Sequence, residues 1–132
     1  MAVLAGYLSM VIVVMVGLTI MLAMFSDAFP TEPGPYEGPA YILILEWVLS
    51  LFAAMGGGAV CAWVAGHAER RHALWLAGVL VVFSVVSTLG EMGLKPLWSS
   101  IGLAVIGPLG VLWGAALAQR RRERHALAKR PR

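Results

Sequence analysis

The chain has 132 residues, 60% of them hydrophobic and only 13% charged, with a formal net charge of +3. A soluble domain is about 45–50% apolar and about 25% charged, and a chain this short cannot hide such an excess, which excludes a water-soluble globular protein. The mean hydropathy of +0.82 and the length suit four spans of about 20 residues each, with no room for a separate soluble domain.

The first predicted span covers residues 3–25. Tyr7, Ser9 and Thr19 are its only polar side chains, and residues 1–6 carry no Lys or Arg. A secretory signal has a basic start and an apolar core of about 7–15 residues. This run is longer and lacks the basic start, so a retained span is expected. Met10, Met15, Met21 and Met24 do not share a helix face and read as gap-filling apolar residues. Residues 26–39 then hold Pro30, Pro33, Pro35 and Pro39 with Gly34 and Gly38, a composition that ends a helix. Asp27, Glu32 and Glu37 make this loop acidic. Their spacing is not that of a tight calcium loop, so a solvated acidic loop is expected.

The second span, 41–66, is long and free of Pro. Ala53, Gly57, Cys61 and Ala65 recur every four residues. Beside them run Ser50, Ala54, Gly58, Ala62 and Gly66. On a helix these are two adjacent ridges of small residues, a face against which other helices pack closely inside a bilayer. Cys61 is the lone cysteine, so no intrachain disulfide is available, and a small packing residue is expected. A polar turn with His67, Arg70, Arg71 and His72 leads to a third span over 73–90. A second turn, 91–97, contains Gly93, Lys95 and Pro96, and a fourth span follows over 98–118. Gly110 and Gly114 form a GxxxG pair in that span, and Pro108 predicts a kink near its middle. Residues 119–132 form a basic tail, predicted to be cytoplasmic.

Charge placement predicts orientation. Nine of the ten Lys and Arg residues lie in the 67–72 turn or the tail, and only Lys95 lies at the opposite end. Cytoplasmic loops collect such residues, so both termini are expected inside. Trp and Tyr favour the membrane interfaces. Tyr36, Tyr41, Trp47 and Trp98 map to the outer level, whereas Trp63, Trp75 and Trp113 map to the inner one.

Four candidate sites carry chemistry. Glu46 is the one acid well within an apolar helix. A carboxylate there could bind a cation or move a proton, but it lies near the outer end beside Trp47, where an interfacial role is favoured. Ser84, Ser87, Thr88 and Glu91 fall on neighbouring faces of span three and could line a polar track. Ser and Thr in such helices more often bond to backbone or a neighbouring helix. Glu91 and Lys95 are also placed to pair across the turn. Arg120, Arg121, Arg122 and Arg124 could hold anionic lipid headgroups. No aromatic residue interleaves them, so nucleic acid is not an expected partner. His67 and His72 sit at helix ends and read as polar turn residues rather than haem or metal ligands. No nucleophile–base set, phosphate loop or Cys/His metal pattern occurs, so neither enzymatic activity nor a cofactor or metal is expected.

The order FPTEPGP, AAMGGGAVCAWVAG, a short charged turn with HAL, KPLW, then PLG and WGAALA resembles a loose set of uncharacterised small bacterial four-span integral membrane proteins. They share a Pro-rich first outer loop, a Gly/Ala-rich second span and a Pro–x–Trp approach to the fourth. Gly56–Gly57–Gly58 stands here where a doublet is usual. The resemblance covers nearly the whole chain. It implies an all-α, four-helix transmembrane bundle in a bacterial inner membrane, and it transfers no activity or site residue. Two functions follow as expectations. The first is a structural or accessory subunit that packs with other transmembrane subunits, or with itself, through the small-residue faces of spans two and four. The alternative is a small transporter or channel-forming oligomer that uses Glu46 and the polar face of span three.

Overall fold

The computed structural model describes residues 1–29, 34–36, 38–66, 69–90 and 93–128; of residues 69 and 128 it describes the backbone. Glu32, Glu37, His67, Glu91, Lys129, Arg130 and Arg132 lie outside the described residues. The chain forms α1 (Ala2–Met24), a single 3-10 turn (Ser26–Ala28), α2 (Ala40–Ala65), α3 (Glu69–Gly90) and α4 (Leu97–Ala128). All four helices are long and apolar enough to cross a membrane, and no strand occurs among the described residues. The fold is an all-α, four-helix transmembrane bundle.

Two helices run further than the predicted spans. α3 begins at Glu69, so Arg70 and Arg71 lie in its first turn. α4 continues through Pro108 and on to Ala128, well into the basic tail. Residues 119–128, QRRRERHALA, are mostly strong helix formers without Gly or Pro. The Gln119 amide also donates to Glu123 Oε1 one turn on, at 3.4 Å.

The loop-bearing end of the bundle carries the described residues 26–29, 34–36 and 38–39 and the turn before α4. The opposite end carries the C-terminus of α2, the start of α3 and the C-terminal extension of α4. α1 runs antiparallel to α2: Phe25 meets Tyr41 edge-to-face at 6.2 Å, Leu49 fills the space beside Gly17, and Met10 lies over Gly57. α2 and α4 run parallel, with Trp47 against Gly102 at the loop-bearing end and Gly58 against Val111 further along. α3 returns between them, and Leu76 joins Cys61, Ala54 and Val111 in the core. Nearer the tail, Ala73 packs with Ala62 and Ala115. α2 touches all three other helices and is the axis of the bundle.

The two small-residue ridges explain that central position. On the first, a Cβ added at Gly57 would meet Met10 and lie 2.8 Å from the Gly6 carbonyl oxygen of α1. On the second, a Cβ at Gly58 would run into the Val111 carbonyl of α4. Ala53, Ala54, Cys61 and Ala62 have no exposed surface. Removing side chains lets the backbones approach, and dispersion then holds helices together where lipid removes the hydrophobic drive. Gly110 and Gly114 answer from α4: Gly110 lies over Ala54, and Gly114 over the Met55 carbonyl. These faces are therefore consumed within the chain.

The exterior is apolar. Leu4, Ile12, Val16, Val82, Val86, Trp63 and Trp113 are among many large side chains left more than half exposed. Only 6% of the most apolar window of α1 is buried. Water cannot be the solvent for such a surface, and lipid contact follows.

Candidate functional site

The Glu46 carboxylate projects from α2, two turns from its start. The turn before α4 brings Lys95 to it. Lys95 Nζ donates to Glu46 Oε1 at 3.0 Å and to Oε2 at 3.3 Å. The side chains are 27% exposed for Lys95 and 23% for Glu46, so the pair is shielded yet reachable. The turn itself is held from outside the bundle: the Tyr36 N–H donates to the Leu94 carbonyl at 2.6 Å. The Tyr36 hydroxyl donates to the Pro39 carbonyl at 3.1 Å. The acidic loop is thereby tied to the turn that carries Lys95. Burial pushes the Tyr36 phenol above its ordinary range, and the negative charge of Glu46 adds to this while Lys95 opposes it.

The indoles beside the pair fix α2 to α4. Trp47 Nε1–H donates to the Ser99 carbonyl at 3.2 Å, and the Trp47 and Trp98 rings meet edge-to-face at 5.5 Å. Glu46 and its neighbour Trp47 thus each bind the region around the start of α4.

Behind the ion pair lies a cleft of about 310 Å³ to which all four helices contribute. Its polar lining is Glu46, Lys95, Tyr7, Ser84, Ser87, Thr88 and Ser100, and its apolar lining is Leu80, Phe83, Leu103 and Ala104. Tyr7 of α1 stacks on Phe83 of α3 with centroids 5.8 Å apart. α1 and α3 otherwise touch little, which leaves room for the cleft between them. Hydroxyls of Ser84, Ser87 and Thr88 on α3 and Ser100 on α4 make one side of this partly open groove polar in an otherwise lipid-like bundle. That arrangement can hold a small polar solute, which needs several hydrogen-bonding groups converging in a largely apolar pocket.

Glu46, Ser84, Ser87 and Thr88, the sequence candidates for an ion or proton site, all line this one cleft. Glu91 lies outside the described residues, and so does its expected pairing with Lys95; among the described residues Lys95 pairs with Glu46. Sequence reasoning did not assign Lys95, Tyr7 and Ser100 to the site. The isolation of Lys95 from every other basic residue was a usable signal, as was Tyr7 within an apolar span. Nothing in the spacing of Ser100 marks it.

The basic tail divides. Arg122 donates to the Trp63 carbonyl at 2.7 Å and to the Gly66 carbonyl at 3.3 Å. It thereby satisfies carbonyls at the C-terminus of α2, where Gly66 turns with φ +69°. Arg120, Arg121 and Arg124 are exposed on the extension of α4. Among the described residues no group of three or more His, Cys, Asp and Glu could hold a metal ion.

No family model matches the chain, and no solved structure matches it. It is similar to the zinc transporter ZIP2 of Mus musculus, with 35% identity over 94 residues, covering 67% of this chain and 30% of that protein. The chain thus spans less than a third of the length of that relative.

Proposed function

We propose that the chain is a small transport protein that moves a small polar solute through the cleft between its helices. The observation that carries this reading is the polar wall, reached by all four helices, with an accessible Glu46–Lys95 pair at its rim. The similarity to a zinc transporter supports transport as the class of activity. The reading does not extend to zinc: the Glu46 carboxylate already faces an ammonium, and a cation competing for it meets like charge. No catalytic constellation enters the reading, which is non-enzymatic.

In this reading the protein sits in a bacterial inner membrane with both termini inside. The basic residues of the tail and of the first turn of α3 support that orientation. The cleft then opens on the outer side. Exposed Arg120, Arg121 and Arg124 would meet anionic headgroups, at about 1 kcal/mol each near the surface.

The test is reconstitution in liposomes with uptake of a panel of labelled small solutes. The intact protein should give saturable uptake of at least one, and Glu46→Gln or Lys95→Met should reduce it by about ten-fold or more. A panel with no protein-dependent uptake, or variants that transport like the parent, would defeat the proposal.

A second reading, an accessory subunit of a larger membrane complex, is supported by the broad uncovered face of α1. The small-residue ridges of α2 and the glycines of α4 are already occupied within the chain. A partner would therefore have to meet α1 or the outer faces of α3 and α4. Crosslinking from α1 in native membranes distinguishes the two: a stoichiometric heterologous partner would favour this second reading.

A further inference from the structure

We infer that the cleft takes a small zwitterion, an α-amino acid with an aliphatic side chain, held between Glu46 and Lys95. The inference rests on reading the cleft as a solute site, but not on translocation.

Three observations carry it. First, the cleft presents both signs of charge at one point, with Lys95 Nζ 3.0 Å from Glu46 Oε1. A bare cation approaching Glu46 meets the Lys95 ammonium, and a bare anion approaching Lys95 meets the carboxylate. A zwitterion escapes both penalties. Its ammonium takes Glu46 and its carboxylate takes Lys95, so one ion pair is exchanged for two at no change in net charge.

Second, the pair is able to open. Lys95 stands on a turn, at the end of a flexible four-carbon stem, and both side chains keep about a quarter of their surface accessible, at 27% and 23%. Glu46 is fixed on a helix whose next residue, Trp47, is bonded to α4. The lysine can swing while the carboxylate stays, which leaves room for a ligand between them.

Third, the rest of the cleft matches the remainder of such a molecule. Its volume of about 310 Å³ is at the low end of ligand pockets, which run from about 300 to 1,000 Å³. Leu80, Phe83 and Leu103 offer an apolar wall to an aliphatic side chain. The hydroxyls of Ser84, Thr88 and Ser100 can take the remaining hydrogen bonds of an ammonium or carboxylate.

The test is calorimetric titration of the full chain in detergent micelles with L-leucine, 3-methylbutylamine, 4-methylpentanoate and zinc chloride. Leucine should bind saturably. The amine and the acid, each lacking one charge, should bind about ten-fold or more weakly, as expected for losing one charged hydrogen-bonded contact. Glu46→Gln and Lys95→Met should each weaken leucine by a similar factor. The double exchange Glu46→Lys with Lys95→Glu, which restores both charges with reversed polarity, should recover most of the binding. Circular dichroism and size-exclusion profiles establish that each variant is folded, and the ligand series on the parent protein decides the matter without any variant. The inference is overturned if the parent does not bind leucine, if either single-charge compound binds as well as leucine, or if zinc binds and is lost with Glu46→Gln. Leucine binding without any flux would refute transport and leave this inference standing. Flux of another solute without leucine binding would do the reverse.

Discussion

Lys95 Nζ sits 3.0 Å from Glu46 Oε1, and this contact joins the turn after α3 to a helix 49 residues earlier in the chain. It is partly shielded from water, so neither the surface value of under about 1 kcal/mol nor the full cost of a buried pair applies. Removing Lys95 alone leaves a half-buried carboxylate facing hydroxyls, at a cost of about 1–3 kcal/mol. Removing both charges avoids that cost. In detergent, Lys95→Met should therefore lower the thermal midpoint more than the double variant with Glu46→Gln. Equal losses in the single and double variants would show that the two side chains are not coupled in the folded state.

The glycine ridges make a sharper contrast. A Cβ at Gly58 would run into the Val111 carbonyl, whereas a Cβ at Gly56 meets nothing within 4 Å. Gly58→Ala should force α2 and α4 apart and cost about 1–3 kcal/mol. Gly56→Ala should be neutral or stabilising by up to about 1 kcal/mol, since Ala is the better helix former. Unfolding in mixed detergent micelles reads both. A neutral Gly58→Ala would mean that the parallel α2–α4 contact is looser than described.

Arg122 separates capping from lipid contact. Its guanidinium donates to the Trp63 and Gly66 carbonyls, while Arg121, its neighbour, is exposed on the same helix. Arg122→Gln should cost about 1–2 kcal/mol through the freed carbonyls of α2. Arg121→Gln should stay within about 0.5 kcal/mol. Binding to vesicles containing anionic lipid should respond in the opposite order, falling with Arg121→Gln more than with Arg122→Gln.

The fold was more legible than the site, for a physical reason. Helices in a bilayer announce themselves by length and composition, and the four-residue recurrence of Ala53, Gly57 and Cys61 marks a packing face by geometry alone. What the recurrence does not say is which helix fills the face. The sequence leaves open the chain's own helices, a second copy or another subunit, and in the structure α1 and α4 lie against it. Ser84, Ser87 and Thr88 could be grouped because helical periodicity is local. The Glu46–Lys95 pair is a contact across 49 residues, and no local pattern encodes it. Tyr7 reaches the cleft only because α1 lies against α3 at Phe83, which no local pattern encodes. Arg122 was grouped with Arg120, Arg121 and Arg124 as a lipid contact, but the helix formers of the tail carry α4 to Ala128, and Arg122 donates to carbonyls at the end of α2.

Tyr36 reports on the same rim through pH. Burial raises its phenol pKa above the ordinary value of 10.0, with the Glu46 charge as the next cause. A raised value means that the folded chain favours the neutral phenol, so the associated stability is present below the unfolded pKa. It is lost as pH rises through the folded pKa. The chain has three tyrosines, so the Tyr36 titration is obtained as the difference in tyrosinate absorbance between the parent and Tyr36→Phe. Its midpoint should lie above 10.0. Glu46→Gln should move it down, because the repelling carboxylate is gone, and Lys95→Met should move it up, because the attracting ammonium is gone. Opposite responses to the two variants would place both charges beside the loop that straps the Lys95 turn. Identical responses, or a midpoint at or below the ordinary value, would mean that the Tyr36–Leu94 strap does not hold the phenol against the pair.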